Sequence, residues 1–337
     1  MQFLKDIFLN LKHETNLLTL NPLLDCFDQN DLGQLDMMAE TNSFLAEKKK
    51  KILGLIKEID ISYHPKLKSA YNEYSEAMTY LRLKNSFGQV NRIPEGDGKT
   101  PDFKIEFSHN DNNKTEICTI YAEFKSLSFS SNNLNYIKTM EQGLNAQIDI
   151  ERQLKEGRQI GFGTTKIQPL YNDNKNYDST STKYAIETLI EKIEQNIKKG
   201  QYLFGETVLI VDLKQLTLPS YFKEGGVPIF QEKQYNSFVS GVQWNVAFGK
   251  AGYLMFKQIE FEGKENIDGE LEREGILISR DYIKAIIFFD YALGINQPKI
   301  VGLYKQGNVS DCMQKFLNKF CDFVNDEKNT NGWQLNE

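Results

Sequence analysis

Residues 101–127 have the sequence PDFKIEFSHNDNNKTEICTIYAEFKSL, and this stretch decides the fold. Its first part, 101–107, alternates strictly between apolar and polar side chains, which predicts a strand with one buried face. Its last part, 117–127, is rich in aromatic and β-branched residues and predicts a second strand. The Asn-rich segment between them favours a turn, which we place at Asn112-Asn113. The stretch therefore predicts a β-hairpin.

The position of this turn determines which residues of the hairpin lie opposite each other. Facing pairs that follow from it are Phe103–Ala122, Ile105–Ile120 and Phe107–Cys118. This register buries every apolar side chain of the first strand on one face, and a slip by one residue would bury the charges instead. On the other face it sets Asp102 opposite Glu123, at a distance of roughly 5 Å. Lys125 points the same way because side-chain direction repeats every two residues. The hairpin therefore predicts a cluster of two acids and one lysine.

This cluster resembles the signature of the PD-(D/E)XK nuclease superfamily. Pro101-Asp102 matches the PD of that signature, and Glu123-Phe124-Lys125 matches its (D/E)XK. The resemblance implies an α/β fold of α+β-like character, with a restriction-endonuclease-like core of element order α-β-β-β-α-β. In such a core a central mixed β-sheet is flanked by helices.

The resemblance also implies that an acidic residue on the first helix completes the site. Residues 66–84 carry an apolar stripe at helical spacing and predict that helix, followed by a strand over 86–93. Glu76 is our candidate for the additional acid because of its distance from the following strand. Glu73 is the alternative.

The rest of the chain is organised around this core. We divide the sequence into an N-terminal helical segment, 1–62, a nuclease-like core, 63–215, with an insertion at about 128–180, and a C-terminal α/β elaboration that packs on the core, 216–337. An amphipathic helix over 183–199 and a buried strand over 206–213 close the predicted core. Further predicted elements are strands at 276–279, 283–290 and 299–304 and a terminal helix at 311–325.

The chemistry of the acidic cluster predicts a metal-dependent nuclease. Asp102, Glu123 and Glu76 would bind Mg²⁺ or Mn²⁺, since these hard ions prefer carboxylate oxygens. Such an ion lowers the pKa of a bound water and stabilises charge on the phosphate. Lys125 would orient the attacking water and neutralise the developing negative charge. We expect a DNA endonuclease of restriction or anti-phage defence type. The alternatives are a catalytically silent binding module in a larger defence or repair complex, and a nuclease that acts on RNA.

The charge of the chain bears on its partners. The formal net charge is −6, so a nucleic-acid partner, with DNA favoured, requires a local group of basic side chains. Candidates are Lys48, Lys49, Lys50 and Lys51, and the series Lys138, Arg152, Lys155 and Arg158. The four-lysine run can equally be a solvated helix face, which is the usual role of such runs. A homodimer or a partner protein stays open.

Some families with this signature place a glutamine near the acids. Gln195 on the 183–199 helix and Gln147 on a predicted preceding helix are the two candidates, and the alternative for each is an ordinary surface side chain.

Composition favours a cytoplasmic protein that does not enter a membrane. No apolar run approaches the length of a membrane span, and the charged N-terminus lacks the pattern of a secretory signal. The chain has four cysteines, Cys26, Cys118, Cys312 and Cys321. Their spacing matches neither a metal-binding motif nor a disulfide framework. We therefore expect a reduced, cytoplasmic setting.

Overall fold

The structure is a computed structural model of the chain. It describes residues 3–14, 22–57, 64–94, 99–111, 114–128, 133–163, 181–217, 232–234, 237–239, 241–257, 267–291, 298–329 and 333–335.

Helices and strands alternate through most of these residues. The helices are α1 Leu4–Glu14, α2 Gln29–Met38, α3 Ser43–Lys57, α4 His64–Phe87, α5 Asn133–Lys155, α6 Thr182–Asn196, α7 Gly241–Phe248, α8 Ile276–Ser279 and α9 Asp311–Phe320. The strands are β1 Gln89–Arg92, β2 Phe103–Asp111, β3 Lys114–Ser126, β4 Thr207–Asp212, β5 Glu232–Gln234, β6 Ser237–Val239, β7 Leu254–Phe256, β8 Ile267–Glu270, β9 Ala285–Asp290, β10 Lys299–Tyr304, β11 Phe323–Asp326 and β12 Trp333–Leu335. Short 3-10 turns occupy Pro22–Cys26, Lys199–Tyr202 and Lys214–Thr217. None of the helices in the described ranges is both long enough and apolar enough to cross a membrane.

The chain forms two compact units. The first comprises Met1–Ala77, Ser128–Asn176 and Leu218–Gly226, and the second comprises Met78–Leu127, Tyr177–Thr217 and Val227–Glu337. In the first unit an aromatic cluster joins the N-terminal helices to the beginning of α4. The ring of Phe27 lies 4.2 Å from that of Phe8, 5.5 Å from that of Tyr71 and 5.1 Å from that of Tyr74. Each such aromatic pair contributes about 0.5–1.5 kcal/mol beyond the burial of its surface.

A mixed sheet of seven strands lies at the centre of the second unit. Its strand order is β1-β2-β3-β4-β9-β10-β11. Strands β1, β2 and β3 are antiparallel neighbours, β3, β4 and β9 run parallel, β10 is antiparallel to β9, and β11 is parallel to β10. Helices flank this sheet, as the prediction of an α/β fold with a central mixed sheet requires. The C-terminal part of the chain supplies three of the seven strands.

The predicted register of the β2–β3 hairpin is confirmed. Phe103 pairs with Ala122, Ile105 with Ile120, and Phe107 with Cys118, and all six side chains are buried. The predicted turn, Asn112-Asn113, lies outside the described residues, but the pairing continues to Asp111 and Lys114 on either side of it.

Aromatic side chains of α4 and α9 cover the apolar face of this hairpin. The ring of Tyr80 lies 6.0 Å from that of Phe103, and the ring of Phe87 lies 5.1 Å from that of Phe107. Phe316 of α9 stacks on Phe87 at 4.8 Å. Because these contacts fill the face that carries Phe103 and Phe107, the charged side chains at 102, 104 and 106 must lie on the opposite face.

The two central strands β4 and β9 are buried along their whole length. They confirm the predictions for 206–213 and 283–290, because an uninterrupted apolar run is typical of a strand that is covered on both faces. Strand β10 coincides with the predicted strand at 299–304.

Three predicted element boundaries are wrong. Residues 276–279 form the short helix α8 and not a strand, since a run of three apolar residues does not distinguish the two. The terminal helix ends at Phe320, and the extended Cys321 leads into β11. The predicted strand at 86–93 is shorter because α4 continues to Phe87. Gly88 then ends α4 with a left-handed backbone, φ 76°, which only glycine adopts at little cost.

The expectation that all cysteines are reduced is also wrong. Cys118 is buried on the apolar face of the hairpin, as predicted, but it forms a disulfide with Cys312 of α9. The two cysteines are 194 residues apart, so no local spacing could indicate the bond. It forms because α9 packs on β3. Cys26 and Cys321 take no part in a disulfide.

Candidate functional site

Backbone pairing places Asp102 beside Glu123. The Asp102 amide donates to the carbonyl oxygen of Ala122 at 3.0 Å, one residue out of the β2–β3 register, which ends at the pair Phe103–Ala122. The Phe124 amide in turn donates to Oδ2 of Asp102 at 2.7 Å. The Asp102 residue is therefore held by the main chain on either side of Glu123, through its own amide at Ala122 and through its carboxylate at Phe124. The two acids are therefore neighbours, while the predicted pairing of Asp102 directly opposite Glu123 stays a prediction.

Glu123 is fully buried, and its two carboxylate oxygens have different surroundings. Oε1 forms an ion pair with Nζ of Lys125 and accepts a hydrogen bond from Nε2 of Gln201. Oε2 is buried and has no hydrogen-bond partner among the described residues. Lys125 is 24 % exposed, so its ammonium group connects the buried carboxylate to the protein surface.

The surroundings of Glu123 raise the pKa of its carboxyl group to about 7. Burial is the largest cause, and the nearby charge of Asp102 is the second; Lys125 and Gln201 act in the opposite direction. Near neutral pH the protonated and ionised forms are both populated. A carboxyl group in this state is typical of a functional site more than of a structural ion pair.

Gln201 is the glutamine that contacts the acids, and the sequence reasoning missed it. It lies in the 3-10 turn before β4, where its Oε1 accepts the amide of Lys198 at 3.0 Å and its Nε2 reaches Glu123. The two predicted glutamines make surface contacts instead: Gln195 donates to Glu191 at 3.0 Å, and Gln147 donates to Glu151 at 3.3 Å. Gln201 lies in a short turn, where no periodic sequence pattern indicates which way a side chain points.

Tyr202 is a second residue of this site that the sequence did not indicate. Its side chain is buried, yet its hydroxyl group has no hydrogen-bond partner in the part of the chain that the structure describes. Burial raises the pKa of this hydroxyl well above its ordinary value, and the negative charge of Glu123 adds to the effect, with Tyr282 and Asp102 contributing less. The hydroxyl therefore lies within electrostatic reach of both acids. A buried donor without a partner costs about 1–3 kcal/mol, so this group is one that a bound molecule could satisfy.

The two candidate acids of α4 bind a lysine. Nζ of Lys48 lies 2.5 Å from Oε2 of Glu76 and 2.7 Å from Oε2 of Glu73. All three residues belong to the first compact unit, whereas Asp102 and Glu123 belong to the second. The assignment of Glu76, or of Glu73, as the acid that completes the site stays a prediction.

The four-lysine run of α3 takes part in ion pairs within the first unit. Lys48 is only 2 % exposed, so it is neither a solvated side chain nor a phosphate contact. Lys49 pairs with Asp36 at 2.6 Å, and Lys51 pairs with Glu47 at 3.0 Å. The electrostatic role of this run is therefore largely structural. In the second predicted series, Arg152 pairs with Asp149 at 3.0 Å, and the side chain of Lys138 lies outside the described residues.

The carboxylates of the pair suit a hard divalent cation. Within the described ranges no group of three or more His, Cys, Asp or Glu side chains converges as a metal-binding set. Two carboxylates are nevertheless what Mg²⁺ commonly takes from a protein, because this ion keeps several of its waters and binds substrate phosphate oxygens. The buried Oε2 of Glu123 is an acceptor that a cation would satisfy. The donor set therefore fits Mg²⁺ or Mn²⁺.

Comparisons of the chain with known protein families, with curated proteins and with solved structures found no match.

Proposed function

We propose that this protein is a metal-dependent nuclease that hydrolyses phosphodiester bonds, with DNA as the favoured substrate and restriction or anti-phage defence as its role. The observation that carries the proposal is the cluster of Asp102, Glu123 and Lys125. Two acids held by one antiparallel register, with a lysine on the same face, have the chemistry that phosphodiester hydrolysis needs.

The arrangement of elements around the cluster supports a restriction-endonuclease-like core. Helix α4, strands β1, β2 and β3, helix α6 and strand β4 follow one another in the order α-β-β-β-α-β when α5 is treated as an insertion. Strands β3 and β4 lie side by side and run parallel. The acids thus lie at the edge between the antiparallel hairpin and the parallel centre of the sheet.

Each side chain of the site has a defined part in the proposed reaction. Asp102 and Glu123 would hold the cation, with Glu76 as the proposed third acid. The bound cation supplies an activated water and offsets the charge of the phosphate. Lys125 holds its ammonium proton beside Glu123 and places a positive charge where negative charge develops on the phosphate. Gln201 fixes the orientation of the Glu123 carboxylate through its amide. A cytoplasmic location and a homodimeric or partner-bound state complete the proposal.

Cleavage that depends on a divalent cation is the expected result of incubating the purified protein with nucleic acid. Plasmid DNA and labelled single-stranded DNA, double-stranded DNA and RNA would be incubated with Mg²⁺, with Mn²⁺ and with EDTA. We expect DNA products with 5′-phosphate ends in either cation and no products in EDTA. Cleavage that continues in EDTA would contradict the proposal. Binding without cleavage of any substrate would instead support the silent binding module, and cleavage of RNA alone would assign the enzyme to RNA.

Replacing Tyr202 by phenylalanine is expected to lower the cleavage rate by about 10-fold, since the lost hydrogen bond to a bound water or phosphate oxygen is worth about 1–1.5 kcal/mol. The same substitution should leave the melting temperature unchanged or raise it, because the hydroxyl has no partner among the described residues of the free protein. Single-turnover cleavage and thermal unfolding would be measured side by side. Tyr304→Phe, at the end of β10, is the matched control and should keep the full rate. A Tyr202→Phe protein that is destabilised would show that the hydroxyl has a structural role.

A further inference from the structure

The segment 198–205, between α6 and β4, has a buried part and an exposed part. Gln201 and Tyr202 are buried against the acids, while the next two side chains are large, apolar and turned to solvent. Leu203 is 69 % exposed and Phe204 is 50 % exposed. These two adjacent side chains form a small apolar surface beside the buried polar site, and that surface is open to a ligand.

The ring of Phe204 is held close to the acids by Tyr121. The two rings lie 6.3 Å apart, and Tyr121 is on the same strand and the same face as Glu123, two residues before it. That separation is about 7 Å along a strand. Gly205 lets the chain pass directly over the Tyr121 ring, because a Cβ at this position would lie 2.8 Å from a ring carbon. Phe204 therefore lies within roughly four stacked nucleotides of Glu123, at about 3.4 Å per nucleotide.

Exposed lysines surround this segment. Lys198 and Lys199 are exposed at its start, and the side chain of Lys99 packs against Gly200, where a Cβ would lie 3.0 Å from the lysine chain. Nζ of Lys199 lies 5.7 Å from the ring of Tyr282. The acid that follows the segment, Glu206, is directed to Ser310, whose amide donates to it at 2.7 Å. The surface next to Phe204 is thus locally basic on a chain with a net charge of −6.

From this arrangement we infer that segment 198–205 binds single-stranded nucleic acid, with Phe204 stacked on an unpaired base and Lys99, Lys198 and Lys199 on the adjoining phosphates. The inference rests on the proposed function, since it names the substrate form for the same site. In a duplex each base face is covered by its neighbours, whereas an unpaired base offers a face to an exposed ring. Stacking of this kind tolerates every base and is strengthened by lysines that follow the backbone. We therefore expect the protein to prefer single-stranded over double-stranded nucleic acid, with no preference for base sequence.

Binding to a short oligonucleotide tests the inference without any cleavage. Fluorescence anisotropy would be recorded in EDTA with a labelled single-stranded DNA of about 12 nucleotides, within the range of lengths that one single-strand-binding site covers, and with its duplex. We expect tighter binding to the single strand, and Phe204→Ala should weaken that binding between about 5- and 150-fold, which corresponds to loss of one base–aromatic stack. Phe204→Trp should retain the affinity. Phe162→Ala is the matched control, because Phe162 is a phenylalanine exposed elsewhere on the chain.

The outcomes separate this inference from the nuclease proposal. Equal single-strand affinity of the wild type and Phe204→Ala, or a preference for duplex, would overturn the inference even if the protein cleaves DNA. A loss of affinity in Phe204→Ala combined with absence of cleavage would support the inference and overturn the nuclease. With 2-aminopurine in the oligonucleotide, stacking should quench its fluorescence in the wild type and not in Phe204→Ala.

Discussion

Replacing Lys125 by alanine is expected to lower the rate of phosphodiester cleavage by at least about 10²-fold, the effect of removing one preorganised group that stabilises transition-state charge. Two consequences of the substitution act together. The positive charge beside the phosphate is lost, and the buried carboxylate of Glu123 loses its ion pair. Because Lys125 lowers the pKa of Glu123, its removal also raises that pKa further above the ordinary range. The acid would then hold its proton more strongly at neutral pH.

Two companion variants distinguish a catalytic loss from a general loss of charge. Lys104→Ala removes a lysine from the same hairpin, where it pairs with Glu106 at 2.9 Å, and it should cleave at the wild-type rate. Lys125→Arg keeps the charge but replaces a compact ammonium by a planar group, and we expect it to recover only part of the rate. Single-turnover rates at saturating protein, together with melting temperatures, are the measurements. Equal rates for the wild type and Lys125→Ala would refute the assignment of the site.

The β2–β3 hairpin was predictable in detail because the side chains at 103, 105 and 107 are all apolar and share one face. A register shifted by one residue would bury Asp102, Lys104 and Glu106 against α4 and α9, and the Asn-rich turn excludes larger shifts. The same constraint on the register is sufficient to predict Asp102 beside Glu123. The buried strands β4 and β9 were predictable for a similar reason, since their composition leaves no polar face.

The remaining parts of the site depend on contacts that no local pattern encodes. Gln201 reaches Glu123 from 78 residues away in sequence, through a turn of four residues. The sequence gives no reason to distinguish Tyr202 from other buried tyrosines. Its special feature is that its hydroxyl has no hydrogen-bond partner among the described residues. The Cys118–Cys312 bond likewise exists only because α9 returns to the hairpin. Sequence patterns therefore indicated the strands that carry the acids and missed the side chains that complete their surroundings.

Replacing Asp290 by asparagine is expected to stabilise the protein at pH 8. The substitution exchanges a buried carboxyl group for an amide of nearly the same size. Asp290 ends β9, is almost completely inaccessible, and accepts a hydrogen bond on Oδ2 from Nε2 of Gln243 in α7. Burial raises the pKa of its carboxyl group from 3.8 to about 8, while the hydrogen bonds from Gln243 and from the backbone of Tyr291 act in the opposite direction. The side chain is therefore a neutral acid below that pH. Oε1 of Gln243 has no partner among the described residues, and the proton of a neutral Asp290 is suited to it.

The direction of the pH dependence follows from the two pKa values. Between pH 3.8 and about 8 the folded protein holds a proton on Asp290 that the unfolded chain has released. The contribution of this group to the free energy of unfolding is thus fully present below pH 3.8, falls as the pH rises, and is lost above about 8. The slope is at most about 1.4 kcal/mol per pH unit. Asparagine stays neutral at every pH, and its amide can donate to Gln243 and accept from it, so this slope should disappear.

Thermal unfolding of the wild type and Asp290→Asn at pH 5 and pH 8 tests this expectation. The stabilisation by the variant at pH 8 should be on the order of a few kcal/mol, or several degrees in melting temperature, and should shrink at pH 5. Asp281→Asn is the control, because Asp281 is exposed ahead of β9 and its replacement should leave the pH dependence unchanged. A variant that is less stable than the wild type at pH 8 and has the same pH dependence would mean that Asp290 is ionised in the folded protein. In that case Gln243 would donate its hydrogen bond to an ionised carboxylate, and the Asp290 side chain would carry no proton.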